Sequence, residues 1–268
     1  MEISYKKRLE NVCNKKRSRL CIGLDFDLDT MINPKINDLN SLNSFILDVI
    51  DSTVDICSVY KPNFAFYEKY GPKGLKILEN IINQVDGKCI TIADAKRGDI
   101  GNTSKMYAQS IFKYYNFDAV TIAPYMGSDS IEPFLLDKSK GAYILCLTSN
   151  QSAKEFQYKF NKNSYLYQDV AKLASDLNYN DNVGLVVGAT NVSNMESIKK
   201  VDSSLTWLVP GIGFQGGDLE QSVRISNLKS IGIINVSRGI IYSGNQSLDD
   251  IRLSAIKYNN DINRYIYE

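Results

Sequence analysis

Three charged side chains follow one short apolar run: Asp94, Lys96 and Asp99, in the stretch Ile90-Thr91-Ile92-Ala93-Asp94-Ala95-Lys96-Arg97-Gly98-Asp99-Ile100-Gly101-Asn102-Thr103. The run reads as a buried parallel strand, where residues two apart face the same way, so Asp94 and Lys96 project together. Gly98 and Gly101 let the backbone turn just beyond, around Asp99. Carboxylates and an ammonium buried at a strand end are costly unless they pair, which leaves a structural ion pair or an active site. Alternating charge flanked by glycines favours the active site. The chain has no histidine. Imidazole triads, H-E-x-x-H zinc sites and imidazole proton shuttles are thereby excluded, and acid-base work falls to Lys, Asp, Glu or Tyr.

The elements that must position these groups are legible as periodicity. Eight short apolar runs read as strands: Leu20–Leu24, Ile56–Tyr60, Cys89–Asp94, Ala119–Ile122, Ala142–Leu147, Val183–Val187, Thr206–Val209 and Ile231–Val236. Helix-period stripes lie between several of them. Leu42, Phe45, Ile46, Val49 and Ile50 form one, and Ile77, Leu78, Ile81, Ile82 and Val85 a second. Tyr107, Ala108, Ile111, Phe112 and Tyr115 form a third. Leu166, Val170, Leu173, Ala174 and Leu177 form a fourth, with Ser164 as its expected cap. Ser247 and Asp250 are placed to cap a last helix through Ile251, Ala255 and Ile256. Eight strands alternating with helices fit a (β/α)8 TIM barrel of the α/β class, a single domain over residues 1–268, with its site at the strands' C-terminal ends. An open doubly wound sheet usually has fewer strands, and no G-x-G-x-x-G follows the first one. The first twenty residues are expected to form a helix capping the barrel bottom, and Thr148 to Asn163 a long loop on the rim of the site.

Composition narrows the function further. Over 268 residues, 44% hydrophobic and 23% charged content is that of a globular chain. A net charge of +1 leaves no footprint for nucleic acid, and Lys6-Lys7-Arg8 to Lys15-Lys16-Arg17 reads as a solvated helix face. No apolar run reaches the roughly 18 residues of a membrane span, and the charged first twenty residues argue against a secretory signal. Cys13, Cys21, Cys57, Cys89 and Cys146 show no C-x-x-C spacing, which fits reduced thiols and a cytoplasmic protein.

Polar residues cluster where a barrel would collect them. The first strand ends at Asp25, the second in Lys61-Pro62-Asn63, the third in Asp94 and Lys96, and the fifth in Thr148-Ser149-Asn150. The seventh runs into Pro210-Gly211-Ile212-Gly213-Phe214-Gln215-Gly216-Gly217-Asp218, and the eighth into Ser237-Arg238-Gly239. Loops after strands seven and eight of such barrels commonly bind phosphate; glycines expose backbone N–H groups, and Arg238 is suited to a bidentate grip. The glycine-rich seventh loop also reads as a mobile lid.

In combination these motifs closely resemble the orotidine 5'-monophosphate decarboxylase family, in its longer-loop bacterial and protozoan branch. The resemblance rests on Asp94 through Thr103, Gly23-Leu24-Asp25, Tyr60-Lys61-Pro62-Asn63, Thr148-Ser149-Asn150, Pro210 through Gly213, Gln215-Gly216-Gly217 and Ser237-Arg238-Gly239, and spans about residues 20 to 240. It implies cofactor-free and metal-free decarboxylation of a nucleotide, orotidine 5'-monophosphate, to uridine 5'-monophosphate, the last step of pyrimidine synthesis. Lys61, Asp94, Lys96 and Asp99 would form the catalytic array, with Lys96 protonating C6. Asp99 and Thr103 would reach in from the partner of a homodimer. Asp25, Lys61 and Asn63 would bind the ribose and Ser149 the pyrimidine. Gln215 and Arg238 would hold the phosphate, with Pro210 and Gly217 among the substrate contacts. The branch more often has Pro at Phe26, Asn at Ala123 and Lys at Leu147. The bare D-x-K-x-x-D core also occurs in metal-dependent sugar-phosphate decarboxylases and aldolases, which is the alternative reading. A non-catalytic phosphate-binding barrel would be expected to lose Lys96 or an aspartate.

Overall fold

A computed structural model describes residues 3–189, 192–212 and 218–267. Eight parallel strands close into a barrel: β1 (Leu20–Gly23), β2 (Val59–Lys61), β3 (Ile90–Arg97), β4 (Ala119–Ile122), β5 (Gly141–Leu147), β6 (Val183–Val187), β7 (Thr206–Val209) and β8 (Gly232–Val236). Each pairs with its sequence neighbours, and β8 closes on β1 with Cys21 opposite Asn235. The expected (β/α)8 architecture is therefore present. Strand ends differ by a few residues for local reasons. Ile56 and Cys57 finish the turn after the preceding helix, their N–H groups donating to Thr53 O. β3 instead runs on to Arg97 because pairing resumes there, opposite Ile122, after a break in register from Ala93.

The alternation of side chains along these strands divides the apolar residues between two cores. Residues facing the lumen, among them Cys21, Val59, Ile92, Ala119, Tyr143, Val186, Leu208 and Ile233, form an inner core. Their outward neighbours pack under the helices, among them α2 (Leu39–Thr53), α3 (Gly71–Val85), α4 (Gly101–Gln109), α5 (Leu166–Asp176), α6 (Val192–Val201), α7 (Leu219–Ser226) and α8 (Leu248–Tyr267). Leu42, Phe45, Ile46, Val49 and Ile50 are all buried on α2, as the stripe requires. On α5, Ala174 and Leu177 of the stripe are buried and Val170 and Leu173 pack half-buried against the core, while Tyr167 and Ala171 broaden the buried face. Leu166 and Val170 there line an apolar cavity, and Ser164 belongs to a hairpin, Phe160–Asn161 with Ser164–Tyr165, rather than acting as the cap. Gln168 reaches back to the Tyr165 N–H instead. Ser247 does cap α8, accepting the Asp250 N–H at 3.1 Å.

The bottom of the lumen is closed by α1 (Tyr5–Lys16), capped by Ser4. Tyr5, Leu9 and Cys13 recur every four residues, share one helix face and enter the inner core. Gly141 makes this docking possible: a Cβ there would lie 2.5 Å from the Tyr5 ring. No described helix is long and apolar enough to cross a membrane.

Candidate active site at the top of the barrel

Three of the four residues expected in the charge array, Lys61, Asp94 and Lys96, meet at the upper end of the lumen. Lys61 is the last residue of β2, and its side chain is 5% exposed; its ammonium donates to Asp94 Oδ2 at 2.8 Å. Lys96 donates to the other oxygen, Asp94 Oδ1, at 2.6 Å. Asp94 thus stands between two ammonium groups on separate oxygens. Burial pushes its carboxyl upward, but Lys61 and Lys96 overcome this and hold it below the usual carboxylate range. Burial by itself would lower the Lys61 ammonium; the Asp25 and Asp94 carboxylates outweigh that and hold it above the ordinary lysine value. Lys96, 48% exposed, offers the accessible ammonium of the array.

Two irregularities aim these groups. Beyond β2 the chain stays beside β3 through a bridge between Asn63 and Asp94, with Asp94 N–H donating to Pro62 O and Phe64 N–H to Asp94 O. Between Ala93 and Arg97, β3 bulges away from β4, and Lys96 takes a left-handed backbone with φ of 45°. A long side chain in that region is uncommon and occurs where surrounding contacts hold it. The Lys96 N–H donates to Thr121 Oγ1 at 3.0 Å, and the same hydroxyl donates to Asp94 Oδ1 at 3.0 Å.

Beside the array opens a cavity of about 440 Å³, large enough for a small ligand. Asp25, Lys61, Asn63 and Asp94 line it together with Pro210, Gly211, Ile212, Arg238 and Gly239. Asp25 Oδ1 accepts the Asn63 N–H at 3.2 Å, tying the ends of β1 and β2 together. Gly23 lets β1 approach β8, since a Cβ there would sit 2.7 Å from Ser237 Cβ. The structure therefore assembles Asp25, Lys61, Asn63, Asp94, Pro210 and Arg238 around one space, with Lys96 joined through Asp94.

Other expected site residues stand apart from that wall. Asp99 and Thr103 lie half-buried at the start of α4, where Asp99 Oδ1 accepts the Ile100 N–H at 2.8 Å. Ser149 is half-buried beyond β5, its backbone N 3.0 Å from where a Cβ on Gly188 would be. Gln215 and Gly217 fall outside the described residues. Conversely, Asp27, Thr30, Phe66, Asn235 and Tyr242 line the cavity without having been singled out from the sequence. For Asn235 the signal was present, as an amide inside the apolar run Ile231–Val236. Among the described residues no group of three or more His, Cys, Asp or Glu side chains is placed to hold a metal ion.

The apolar side chains Ile100, Met106, Tyr125 and Met126, on the segments that follow β3 and β4, are 44% to 79% exposed. Those two segments touch, Ser104 Oγ donating to Ser130 O at 2.9 Å.

Comparison with known proteins places the chain. The orotidine 5'-phosphate decarboxylase / HUMPS family model matches residues 18–249. The chain is 43% identical over 237 residues to orotidine 5'-phosphate decarboxylase of Christiangramia forsetii, covering 87% of each chain. It superposes on Leishmania donovani OMP decarboxylase with a TM-score of 0.88 at 34% identity, covering 99% of this chain and 100% of that one. Leishmania donovani UMP synthase also matches, with a TM-score of 0.87 and 36% identity; the chain covers 56% of that longer protein.

Proposed function

The chain is an enzyme of the orotidine 5'-phosphate decarboxylase / HUMPS family, and from that premise we propose that it decarboxylates orotidine 5'-monophosphate to uridine 5'-monophosphate, in pyrimidine synthesis. The observation that carries this reading is the Lys61–Asp94–Lys96 array beside a cavity that Arg238 also lines. In the reaction the bond from C6 to the carboxylate breaks, its electron pair stays on C6, and carbon dioxide leaves. Lys96 supplies the proton that C6 takes up. A preorganised ammonium beside the developing carbanion needs no reorganisation as charge appears, which is the largest single contribution a site of this kind can make. Asp94 orients that ammonium through the 2.6 Å bond.

Asp25, Lys61 and Asn63 act on the ribose, Ser149 on the pyrimidine, and Gln215 and Arg238 on the phosphate, with Pro210 and Gly217 among the substrate contacts. Unassisted carbanion formation of this difficulty calls for an acceleration toward the upper enzyme range, about 10¹⁷-fold or roughly 23 kcal/mol. One lysine does not supply that, so binding energy from the remote phosphate contributes as well. A second copy of the chain completes the site with Asp99 and Thr103. This accounts for their position outside the cavity lining of their own chain.

The deciding experiment follows ultraviolet loss of orotidine 5'-monophosphate by purified protein with and without a chelator. Turnover indifferent to the chelator is the expected result. Absence of turnover by folded protein overturns the reading and directs attention to sugar phosphates and divalent metals, where chelator sensitivity is diagnostic.

A further inference from the structure

Thr121 has no place in the catalytic set described so far, yet it touches two of its members through one atom. On β4, Ala119 and Thr121 face the lumen, and Thr121 is 1% exposed. Its Oγ1 donates to Asp94 Oδ1 and accepts the N–H of Lys96, both at 3.0 Å. It does so where register between β3 and β4 is interrupted, so it spans the bulge. A β-branched side chain is stiff at χ1, which holds Oγ1 on line with both partners. The Asp94 oxygen it contacts is also the one that receives the Lys96 ammonium.

We infer that Thr121 is a positioning residue for the reaction: its hydroxyl clamps the left-handed backbone of Lys96 to the Asp94 carboxylate and so aims the Lys96 ammonium. The clamp converts a strained backbone into a fixed direction for the side chain, and rests on the decarboxylase reading only for the reaction that the aimed ammonium performs. A threonine that merely tied two strands together would contribute to stability and leave the rate per bound substrate alone.

The test compares Thr121→Val, which keeps the shape and removes the hydroxyl, with Thr121→Ser, which keeps the hydroxyl. Misplacing a reacting group by an ångström costs on the order of 10²-fold, so Thr121→Val should lose about that much in kcat. KM should stay within about threefold, and Thr121→Ser should recover at least about tenfold of the lost kcat. If Thr121→Val does not fold, Thr121→Ala is read in the same way. Loss below about threefold, or a serine variant no better than the valine, overturns the inference. Crystal structures of wild type and Thr121→Val provide a readout independent of turnover: Lys96 should leave its positive φ or its ammonium should leave Asp94. An unchanged Lys96 overturns the inference even if the substrate assignment stands. Wild-type protein inactive on orotidine 5'-monophosphate, with Lys96 displaced in the variant, overturns the substrate assignment and leaves the clamp.

Discussion

The two ends of one lumen are built from opposite materials. At the bottom, Tyr5 from α1 meets Tyr143 from β5, hydroxyl to hydroxyl at 3.1 Å, in the apolar cluster that also holds Leu9 and Cys13. Burial pushes the Tyr5 and Tyr143 hydroxyls upward, so both stay neutral. At the top, Lys61 is as enclosed as these groups and remains charged, because Asp25 and Asp94 stand beside it. The bottom has solved burial by removing charge, the top by pairing it. Breaking one partner of a buried pair costs more than losing a neutral hydrogen bond, and only the top retains an ammonium that a substrate can reach.

Asp94→Asn should break this contrast most severely. Two ammonium groups lose their shared carboxylate, so stability should fall by about 3 kcal/mol and kcat by roughly 10³-fold. Chemical denaturation across pH checks the first part. A carboxyl depressed on folding contributes above its unfolded value of about 3.9 and loses that contribution as pH falls through the folded value. The gap between wild type and Asp94→Asn should therefore narrow only below about pH 4. The Lys61 ammonium, raised on folding, contributes below about pH 10.4 and loses its contribution as pH rises through its folded value. A gap that is constant from neutral to strongly acid pH would show that Asp94 is not held by the lysines.

Arg238→Ala acts in the cavity lining outside the lysine–aspartate array and should weaken binding more than chemistry. Losing a charge-assisted bond of about 1.5–3 kcal/mol predicts a KM rise of roughly tenfold to a hundredfold. An unchanged KM would remove Arg238 from the phosphate end. Tyr5→Phe sharpens the comparison from below. It deletes one neutral hydrogen bond and should cost about 1 kcal/mol in denaturant titration with kcat unaltered. A large kcat loss there would mean that the two ends are coupled.

How much of this was legible follows the same division. Eight strands were readable because buried parallel strands are apolar throughout, and Asp25, Lys61, Asp94 and Arg238 because charge interrupts those runs at their ends. Thr121 and Asn235 were missed because a single polar residue inside an apolar run is tolerated too often to stand out; register, with Thr121 opposite Tyr143 and Asn235 opposite Cys21, shows that both face the lumen. Asp27, Thr30 and Tyr242 form one wall through the Thr30 hydroxyl's 2.8 Å contact with the Tyr242 hydroxyl, across more than two hundred residues, which no local pattern encodes. The bulge that turns Lys96 is likewise a product of pairing between β3 and β4, not of the residues around Lys96 alone.

The central claim is that a lysine–aspartate array at the top of the barrel, completed by a second copy, performs the chemistry. Its most direct test measures turnover by Lys96→Ala, by Asp99→Ala, and by the two mixed with demonstrated subunit exchange. Each alone should retain well under a tenth of wild-type rate, a loss above about 1.4 kcal/mol. In a two-fold dimer, mixing regenerates one intact site per heterodimer and should restore about a quarter of the wild-type rate. A Lys96→Ala protein above a tenth of wild type, or no restoration after proven exchange, would contradict the account.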